Sequence, residues 1–498
     1  MVITCIIVAY LTEKCKGVWG PTGWFWRKFI FCTYSVQGGG KKDHGRSKKT
    51  EKCLAFFGGI RYNSLDNEKQ GKEDVHVRML LKGGLVYDRG QLVPMDIEVT
   101  DGIVTGRDSS ISSDADKVFD CRGLAVFPGF ADVHVHLREP GFSYKETIET
   151  GTKACARGGY TVVGAMPNLN PAPDSDEHLR VQEELIREQA VIRVLPYASI
   201  TIGQKGEGEL TDIGGLAERV IGFSDDGRGV KDASTMRQAM ERCKAADAII
   251  AAHCEDMSLI PAGGAIHDGA FAKEHGIPGI PSESEWGPIA RDVELVRETG
   301  CRYHVCHVST KESVEIIRRA KAEGLDVTCE TGPHYLLLCQ DDLQDLGRFK
   351  MNPPLRDKED QAALVEGILD GTIDMIATDH APHSAEEKGK GLAKSAMGVV
   401  GIESAFPLMY TYFVETGRMS LEMLIDRMVY APRKRFRLEG GIEIGDRAEI
   451  TVFDLNADKT IDPADFLSKG KATPFEGWKV HAECRLTLCG ETVAYDNL

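Results

Sequence analysis

The stretch ADVHVHLREP, residues 131–140, follows an apolar run, residues 124–130, that has the character of a buried strand. Because alternate residues of a strand share a face, His134 and His136 point the same way, with Asp132 behind them. Two imidazoles side by side at a strand end are typical of a metal-ligand pair. Two unrelated core histidines would have the same spacing, so the other strands must decide between these interpretations.

Eight runs of apolar or β-branched residues end in polar residues, and amphipathic stretches such as 175–189, 233–246, 309–323 and 357–369 separate most of them. The runs span residues 124–136, 160–168, 192–200, 219–226, 247–256, 303–309, 327–336 and 374–383. Eight such units predict an α/β fold, a (β/α)8 TIM-like barrel, with catalytic residues at the C-terminal ends of the strands. The alternative is an open doubly wound sheet. That fold would more often carry a glycine-rich phosphate loop after its first strand, and the sequence has none there.

The two ends of the chain differ from this alternating pattern. Residues 77–126 and 441–498 carry shorter strand patterns, and we expect them to pair into one small β-sandwich domain around the barrel, residues 127–440. Residues 1–76 hold 13 Lys and Arg against 7 Asp and Glu, with a lysine-rich stretch that lacks periodicity. We expect this atypical basic extension to be disordered and to contain no targeting peptide.

The composition of the chain narrows the class of partner and the location. A net charge of −16 argues against nucleic acid as a partner. No apolar run reaches the roughly 18 residues that a membrane span needs, so we expect no membrane partner. The 14 cysteines include no CxxC pair, which is typical of free thiols in a reducing cytoplasm.

Polar residues that can bind a metal or a substrate follow six of the eight predicted strands. As core residues they would each need a hydrogen-bond partner, whereas one shared divalent metal would satisfy several together. Imidazole and carboxylate without paired thiols fit Zn²⁺ with one coordination position left open. The residues at these strand ends are His134, His136, Arg138, Asn168, Asp225, Asp226, His253, His307, Asp379 and His383.

Seven motifs in this region resemble those of class I dihydroorotases of the amidohydrolase superfamily. They are HxHLRxP, MPN, FSDDG, HCED, HVCHVSTKES, KMNPPLR and ATDHAPH, and the resemblance covers about residues 78–498. It implies an enzyme that hydrolyses a cyclic amide. The implied reaction is the reversible cyclisation of N-carbamoyl-L-aspartate to (S)-dihydroorotate and water, a step of pyrimidine biosynthesis.

The resemblance also implies two zinc ions per subunit, with a single ion as the alternative. The implied ligands are His134, His136 and Asp379 for the first ion, and His253 and His307 for the second. An Asp would bridge the ions in place of the carboxylated lysine of many relatives, because no lysine lies between Lys205 and Lys231. Asp226 matches that position better, but the strand period leaves Asp225 open at a turn. His304 is an alternative to His307 that we interpret as structural, and Cys306 should point away from the metal.

The expected chemistry follows from the metal and from Asp379. A zinc-bound water has a pKa lowered to about 7 and supplies hydroxide at neutral pH. We expect this hydroxide to attack the ring carbonyl, while Asp379 takes up the proton and passes it to the leaving nitrogen. Arg138 suits the capture of a carboxylate, which dihydroorotate carries and a simple hydantoin ring lacks. A surface ion pair with Glu139 is its alternative role. The resemblance adds Asn168, Asn352 and His383 to the substrate contacts, and leaves Arg356 as a structural residue.

Two other functions fit these motifs less well. Another cyclic amidase (a dihydropyrimidinase, hydantoinase or allantoinase) would have the bridging lysine and lack the arginine of HxHLR. A non-catalytic structural partner of aspartate transcarbamoylase would have lost metal ligands, and none is lost here. A complex of the active chain with that transcarbamoylase stays a hypothesis, and we expect a homo-oligomer, a dimer. The composition of residues 384–397 predicts a solvated loop. Its place directly after the eighth strand makes this loop a candidate mobile lid.

Overall fold

The computed structural model describes residues 76–112 and 114–498. The basic extension predicted at residues 1–76 therefore lies, apart from His76, outside the described residues. Among the described helices, none combines the length and the apolar character that crossing a bilayer would require.

A ring of eight parallel strands forms the larger part of the structure. The first and last strands meet where Val135 bridges His380, and the backbone N–H of His136 donates to the carbonyl of His380 at 2.9 Å. These contacts close the ring, so the barrel prediction is confirmed and the open doubly wound sheet is wrong. The barrel strands are β6 (Phe130–Val135), β7 (Tyr160–Ala165), β8 (Arg193–Ala198), β9 (Gly222–Phe223), β10 (Ile249–Ala252), β13 (Arg302–Val305), β14 (Val327–Thr331) and β15 (Met375–Ile376).

Helices connect these strands, and the longer ones begin at good capping residues. The side chains of Ser175, Asp232, Thr310 and Asp357 each accept a backbone N–H at the start of a helix, which stabilises that end. The helices are α1 (Ile148–Arg157), α2 (Asp176–Gln189), α3 (Ile213–Leu216), α4 (Ala233–Ala245), α5 (Ala270–His275), α6 (Glu283–Thr299), α7 (Lys311–Ala322), α8 (Pro333–Leu337), α9 (Lys358–Asp370), α10 (Ala385–Lys388), α11 (Gly391–Lys394), α12 (Ala405–Met409), α13 (Leu421–Ile425) and α14 (Ala431–Phe436). A short parallel pair, β11 (Ile266–His267) and β12 (Gly279–Ile280), lies between α4 and α6 in sequence.

The segments on either side of the barrel form a second sheet. Its strands are β1 (Arg78–Asp88), β2 (Gln91–Thr100), β3 (Ile103–Asp108), β4 (Lys117–Asp120), β5 (Ala125–Pro128), β16 (Glu449–Thr460), β17 (Lys479–Cys489) and β18 (Thr492–Asp496). The two halves join where β5 pairs antiparallel with β16, in the register Val126 opposite Val452. The flanking segments therefore build one separate sheet, as predicted. The boundaries at 77–126, 127–440 and 441–498 stay a prediction.

Aromatic residues fix this sheet against the barrel. The Phe130 ring at the start of β6 lies 4.9 Å from Phe406 and 5.6 Å from Phe453 of β16, centroid to centroid. All three side chains are fully buried. Such pairs each contribute about 0.5–1.5 kcal/mol beyond the burial of their area. The strand that carries His134 and His136 thus begins in a rigid core.

The prediction of a solvated loop at residues 384–397 is wrong. This segment contains α10 and α11, and both Lys388 and Leu392 are buried. The Lys388 ammonium donates to the carbonyls of Lys350 at 2.9 Å, Ala396 at 2.8 Å and Gly398 at 2.6 Å. The charged composition misled the prediction, because the lysine is buried with its three donors satisfied.

Candidate active site

The six predicted metal ligands lie together at one end of the barrel. Each of them ends or follows a barrel strand, so the parallel ring brings distant parts of the chain to one place. All six side chains are buried. In chain order they are His134 and His136 at the end of β6, Asp226 after β9, His253 after β10, His307 after β13 and Asp379 after β15.

Asp226 lies between the imidazoles. Its Oδ1 is 3.4 Å from His134 Nε2, 3.4 Å from His253 Nδ1 and 3.5 Å from His307 Nε2. Its Oδ2 is 3.7 Å from His136 Nε2. One carboxylate therefore faces four imidazoles, which is an arrangement suited to a ligand shared by two ions.

Asp225 has a different surrounding. Its carboxylate accepts hydrogen bonds from Ile200 N–H at 2.8 Å, from the Thr201 hydroxyl at 2.5 Å and from Gly206 N–H at 3.2 Å. These bonds occupy its oxygens and tie the loop after β8 to the end of β9. Of the two neighbouring carboxylates, only Asp226 faces the histidines.

Two buried atoms of the cluster test whether a metal fits. His134 Nε2 and Asp226 Oδ1 have no hydrogen-bond partner, although both are inaccessible to solvent. An unpaired buried polar atom costs about 1–3 kcal/mol, and a cation between these two would satisfy both. The ligand atoms of His134, His136 and Asp379 lie within 4.8 Å of one another, as do those of His134, Asp226 and His307. This set of imidazole and carboxylate donors fits a divalent metal.

Arg138 and His383 meet beside the metal ligands. The buried Arg138 guanidinium donates through Nε to the carbonyl of Pro382 at 3.1 Å, and one terminal nitrogen is 3.4 Å from His383 Nε2. Glu139 instead accepts the backbone N–H of Ile148 at 2.8 Å. The alternative of a surface ion pair between Arg138 and Glu139 is therefore wrong.

The two predicted asparagine contacts are placed differently. Asn352 donates to Glu255 Oε1 at 3.0 Å, and its own Oδ1 is buried without a partner. Asn168 accepts from His136 Nδ1 at 2.8 Å and donates to Asp226 Oδ2 at 3.3 Å, so its amide already has two partners in the metal cluster. Their roles as substrate contacts stay predictions. Arg356 donates to Ser309 Oγ at 3.1 Å and to the carbonyl of Ile280 at 2.9 Å, in keeping with a structural role.

Comparison with known proteins decides the family. A family model described as Dihydro-orotase-like matches residues 123–313. The dihydroorotase of Shouchella clausii (strain KSM-K16) is 52% identical over 422 residues, which cover 83% of this chain and 97% of the relative. The chain belongs to the dihydroorotase family. The dihydroorotase of Geobacillus thermodenitrificans (strain NG80-2) is 50% identical over 424 residues, covering 84% of this chain and 99% of the relative.

Solved structures place this dihydroorotase-family chain in the same fold. L-hydantoinase (dihydropyrimidinase) from Arthrobacter aurescens superposes with a TM-score of 0.76 at 27% identity, covering 84% of this chain and 96% of that one. Dihydropyrimidinase from Brevibacillus agri NCHU1002 gives a TM-score of 0.75 at 22% identity, covering 84% and 95%. The predicted family, the barrel and the assignment as a hydrolase of cyclic amides are thus confirmed.

Within this dihydroorotase-family site, a second layer of polar residues orients the imidazoles. His134 Nδ1 donates to Glu330 Oε1 at 2.7 Å, and His253 Nε2 lies 3.4 Å from Glu255 Oε2. Such partners fix the tautomer and the ring plane of a metal-binding histidine. The sequence prediction missed both glutamates. The signal that was available is Glu330, an acidic residue in the otherwise uncharged strand β14.

The end of β13 corrects one prediction and supports another. His304 donates to Glu330 Oε2 at 3.0 Å and contacts Thr328, which fits the structural role that we expected. Cys306 packs in one apolar cluster with Ala131 and Ala251 of other barrel strands, and its sulfur lies within 4.8 Å of ligand atoms of His134 and Glu330. The prediction that Cys306 points away from the metal ligands is wrong.

Three residues of the site have a backbone conformation that side chains rarely adopt. Arg138, His307 and Asp379 have φ values of +63°, +35° and +44°. Residues other than glycine populate this region at a cost, and such strain concentrates at functional sites. Here it turns these three side chains into the space at the end of the barrel.

Proposed function

We propose that this chain catalyses the reversible hydrolysis of (S)-dihydroorotate to N-carbamoyl-L-aspartate, and so the cyclisation in the direction of pyrimidine synthesis. The observation that carries the proposal is the position of Arg138 and His383 beside the buried cluster of imidazoles and carboxylates. The cluster suits the hydrolysis of an amide, and the guanidinium suits the binding of a carboxylate. Dihydroorotate combines a hydrolysable ring amide with a carboxylate.

The proposed cofactor is zinc, with two ions per subunit. The first ion would be held by His134, His136 and Asp379, the second by His253 and His307, and both by Asp226. When bound, such a metal polarises the amide carbonyl and makes a water molecule more acidic. The support is the convergence of the six side chains and the unpaired atoms His134 Nε2 and Asp226 Oδ1.

Asp379 is the proposed general base and acid. Its Oδ1 is 2.9 Å from His136 Nε2 and 3.5 Å from His134 Nε2. Burial opposes its ionisation, but the neighbouring imidazoles of His134 and His136 outweigh burial and lower the pKa of Asp379 to about 2. An ionised carboxylate in this place accepts a proton from the attacking water and delivers it to the ring nitrogen as the C–N bond breaks.

Arg138 is the proposed anchor of the substrate carboxylate. Its guanidinium is buried, and among the described residues no carboxylate forms a direct ion pair with it. The carboxylates of Asp379 and Asp226 act on it only from a distance, so its free donors are available to an anionic ligand. The substrate carboxylate would supply that direct partner, with Asn168, Asn352 and His383 as further predicted contacts.

The test is an assay of the full-length protein with dihydroorotate, together with zinc analysis. We expect hydrolysis of dihydroorotate, and a fall in kcat of about 10²–10⁴-fold for Asp379→Asn. Asp120→Asn, at the exposed end of β4 in the second sheet, serves as the matched control. Faster hydrolysis of dihydrouracil or hydantoin would favour another cyclic amidase instead. Inactivity of the wild type towards all these rings would favour the non-catalytic alternative.

The family and the cysteines support a proposal for the assembly and the location of the protein. We infer a homodimer and a complex with aspartate transcarbamoylase from the family alone, and light scattering and co-purification test them. The ten cysteines of the described residues are all buried and unpaired, which supports a reducing, cytoplasmic location.

A further inference from the structure

Lys145 lies between β6 and α1 and contacts His383 from the side opposite to Arg138. Its Nζ is 3.2 Å from His383 Nδ1 and 2.9 Å from Glu387 Oε1. The Lys145 side chain is only 14% exposed. Neither the metal cluster nor the predicted substrate contacts include this lysine.

The contact from Lys145 determines which nitrogen of His383 carries the proton. A lysine ammonium has three donors and no acceptor, so a nitrogen that bonds to it must be an acceptor. His383 Nδ1 is therefore unprotonated, and the proton of the neutral ring is on Nε2. That N–H donates to the carbonyl of Met397 at 2.7 Å. In the other tautomer, Nδ1–H would face the lysine ammonium, which is also a donor. The lone pair of Nε2 would face the carbonyl of Met397, which is also an acceptor.

The Nε2 side of His383 faces the guanidinium. Arg138 and His383 Nε2 are 3.4 Å apart, and both carry protons, so they do not bond to each other. Because the single N–H of the ring is bonded to Met397, the Nε2 atom offers no lone pair to Arg138, and that buried terminal nitrogen of the guanidinium stays free for a carboxylate. Burial and the charges of Arg138 and Lys145 also lower the pKa of His383 to about 3, which keeps the ring neutral.

We propose that Lys145 is a positioning residue that fixes His383 as the Nε2–H tautomer, so that His383 does not accept a hydrogen bond from Arg138 and the guanidinium stays free to bind the substrate carboxylate. The inference rests on the proposed function, because it concerns the recognition of dihydroorotate. It assigns to Lys145 a part in substrate binding and none in bond cleavage. The expected effect of its loss is therefore on KM rather than on kcat.

Glu387 offers a competing explanation for any effect of Lys145. Its carboxylate accepts a hydrogen bond from Ser384 N–H at 3.0 Å, pairs with Lys145 and has its Oε2 3.5 Å from His383 Nδ1. In this competing explanation, the tether, Lys145 would only hold α10 in place through its ion pair with Glu387. Glu387→Gln removes the ion pair and leaves the contact between Lys145 and His383, so it separates the two explanations.

The experiment is a double-mutant cycle on the zinc-loaded, full-length protein with Lys145→Met, His383→Ala and both together. The readouts are KM and kcat for dihydroorotate, and the Kd of orotate, a non-reacting ring with the same carboxylate, by calorimetry. Lys145→Arg tests rescue by another donor. Lys153→Met, which alters an exposed lysine of α1 paired with Glu149, is the matched control.

We expect Lys145→Met to raise KM and the orotate Kd about 10–100-fold, the range for a lost charge-assisted contact, with kcat changed by less than about three-fold. In the His383→Ala background the same substitution should have no further effect, because Lys145 acts through the imidazole. Lys145→Arg should retain at least about a third of the wild-type affinity.

Three results would overturn the inference. An equal loss from Lys145→Met with and without His383 would show that the lysine acts independently of the imidazole. A loss of the same size from Glu387→Gln would assign the effect to the tether. Normal orotate affinity in Lys145→Met would remove the role altogether. A wild-type protein that is inactive on dihydroorotate and does not bind orotate would instead contradict the proposed function. If Lys145→Met does not fold, Lys145→Gln replaces it in the cycle.

Discussion

His134 Nε2 and Asp226 Oδ1 face each other at 3.4 Å, and neither atom has a hydrogen-bond partner within the part of the chain that the structure describes. The first strand and the fourth strand of the barrel thus present two unsatisfied ligand atoms to one small space. A divalent cation between them would satisfy both atoms. Substituting the two adjacent carboxylates, Asp225 and Asp226, one at a time therefore tests whether this space holds a metal.

Asp226→Asn should remove the shared ligand. We expect kcat/KM for dihydroorotate to fall more than about 100-fold and the zinc content to fall below that of the wild type, because one carboxylate faces four imidazoles. Zinc analysis by mass spectrometry and a kinetic assay measure this. Asp225→Asn is the matched variant. It should keep its zinc but lose about 2 kcal/mol of stability, since Asp225 accepts from Thr201 and Gly206. Equal zinc loss in both variants would contradict the assignment.

Removal of the metal should destabilise the fold. The empty site would leave buried imidazoles and carboxylates with incomplete partners, so a chelator that takes the zinc should lower Tm and abolish activity. A ligand at a thousand times its Kd stabilises a protein by about 4 kcal/mol. Differential scanning calorimetry before and after dialysis with the chelator gives the shift. Zinc should restore both properties, whereas magnesium, which prefers oxygen ligands, should not.

Glu330→Gln tests the residue that the sequence prediction missed. Glu330 accepts from both His134 and His304, so the neutral amide should orient His134 less well. The expected result is a zinc affinity lower by about 10–100-fold, with a fold that survives. Titration with a competing zinc indicator provides the measurement. Glu323→Gln, an exposed residue at the end of α7, is the control, and an unchanged zinc affinity in Glu330→Gln would remove the second-layer role.

The end of β13 shows why part of the site followed from the sequence and part did not. Strand alternation predicted that the imidazoles of β6 and β10 converge, because His134, His136 and His253 lie where regular strands end. At β13 the alternation from His304 leads to Cys306, and only the turn at His307, with φ of +35°, brings that imidazole to Asp226. A turn of this kind has no periodic pattern, so the orientation of Cys306 was predicted wrongly.

Tertiary partners account for the other differences. Whether Asp225 or Asp226 faces the histidines depends on backbone donors at residues 200–206, which are distant from the FSDDG motif in sequence. The burial of Lys388 depends on the carbonyl of the distant Lys350 and on those of Ala396 and Gly398, which the chain brings back to the lysine only when α10 and α11 fold. The residue types at strand ends therefore predict a metal site and a carboxylate site, and the packing between segments determines which atoms form them.

Arg138→Met tests substrate recognition separately from the chemistry. We expect KM for dihydroorotate to rise at least about 100-fold, since a buried charge-assisted contact to the carboxylate is lost. Any slow hydrolysis of dihydrouracil, which has no carboxylate, should be unchanged. Steady-state assays with both rings measure the difference. Arg122→Met, which alters an exposed arginine just after β4 of the second sheet, controls for the loss of positive charge. Unchanged KM for dihydroorotate in Arg138→Met would refute the role.

Lys388→Met tests whether α10 is held in place by the buried ammonium. The substitution leaves the carbonyls of Ala396 and Gly398 without this donor, while that of Lys350 keeps the backbone N–H of Gly398. We expect a stability loss of about 2–4 kcal/mol because buried acceptors without partners are costly. The neighbouring Lys390 is exposed, so Lys390→Met should leave stability within about 0.5 kcal/mol of the wild type. Urea denaturation of both variants gives the comparison. Limited proteolysis with trypsin adds a local readout. A loosened segment 384–397 should be cleaved faster after Lys394 in Lys388→Met, but not in Lys390→Met. Equal cleavage rates in the two variants would mean that the three carbonyl contacts do not hold this segment against the barrel.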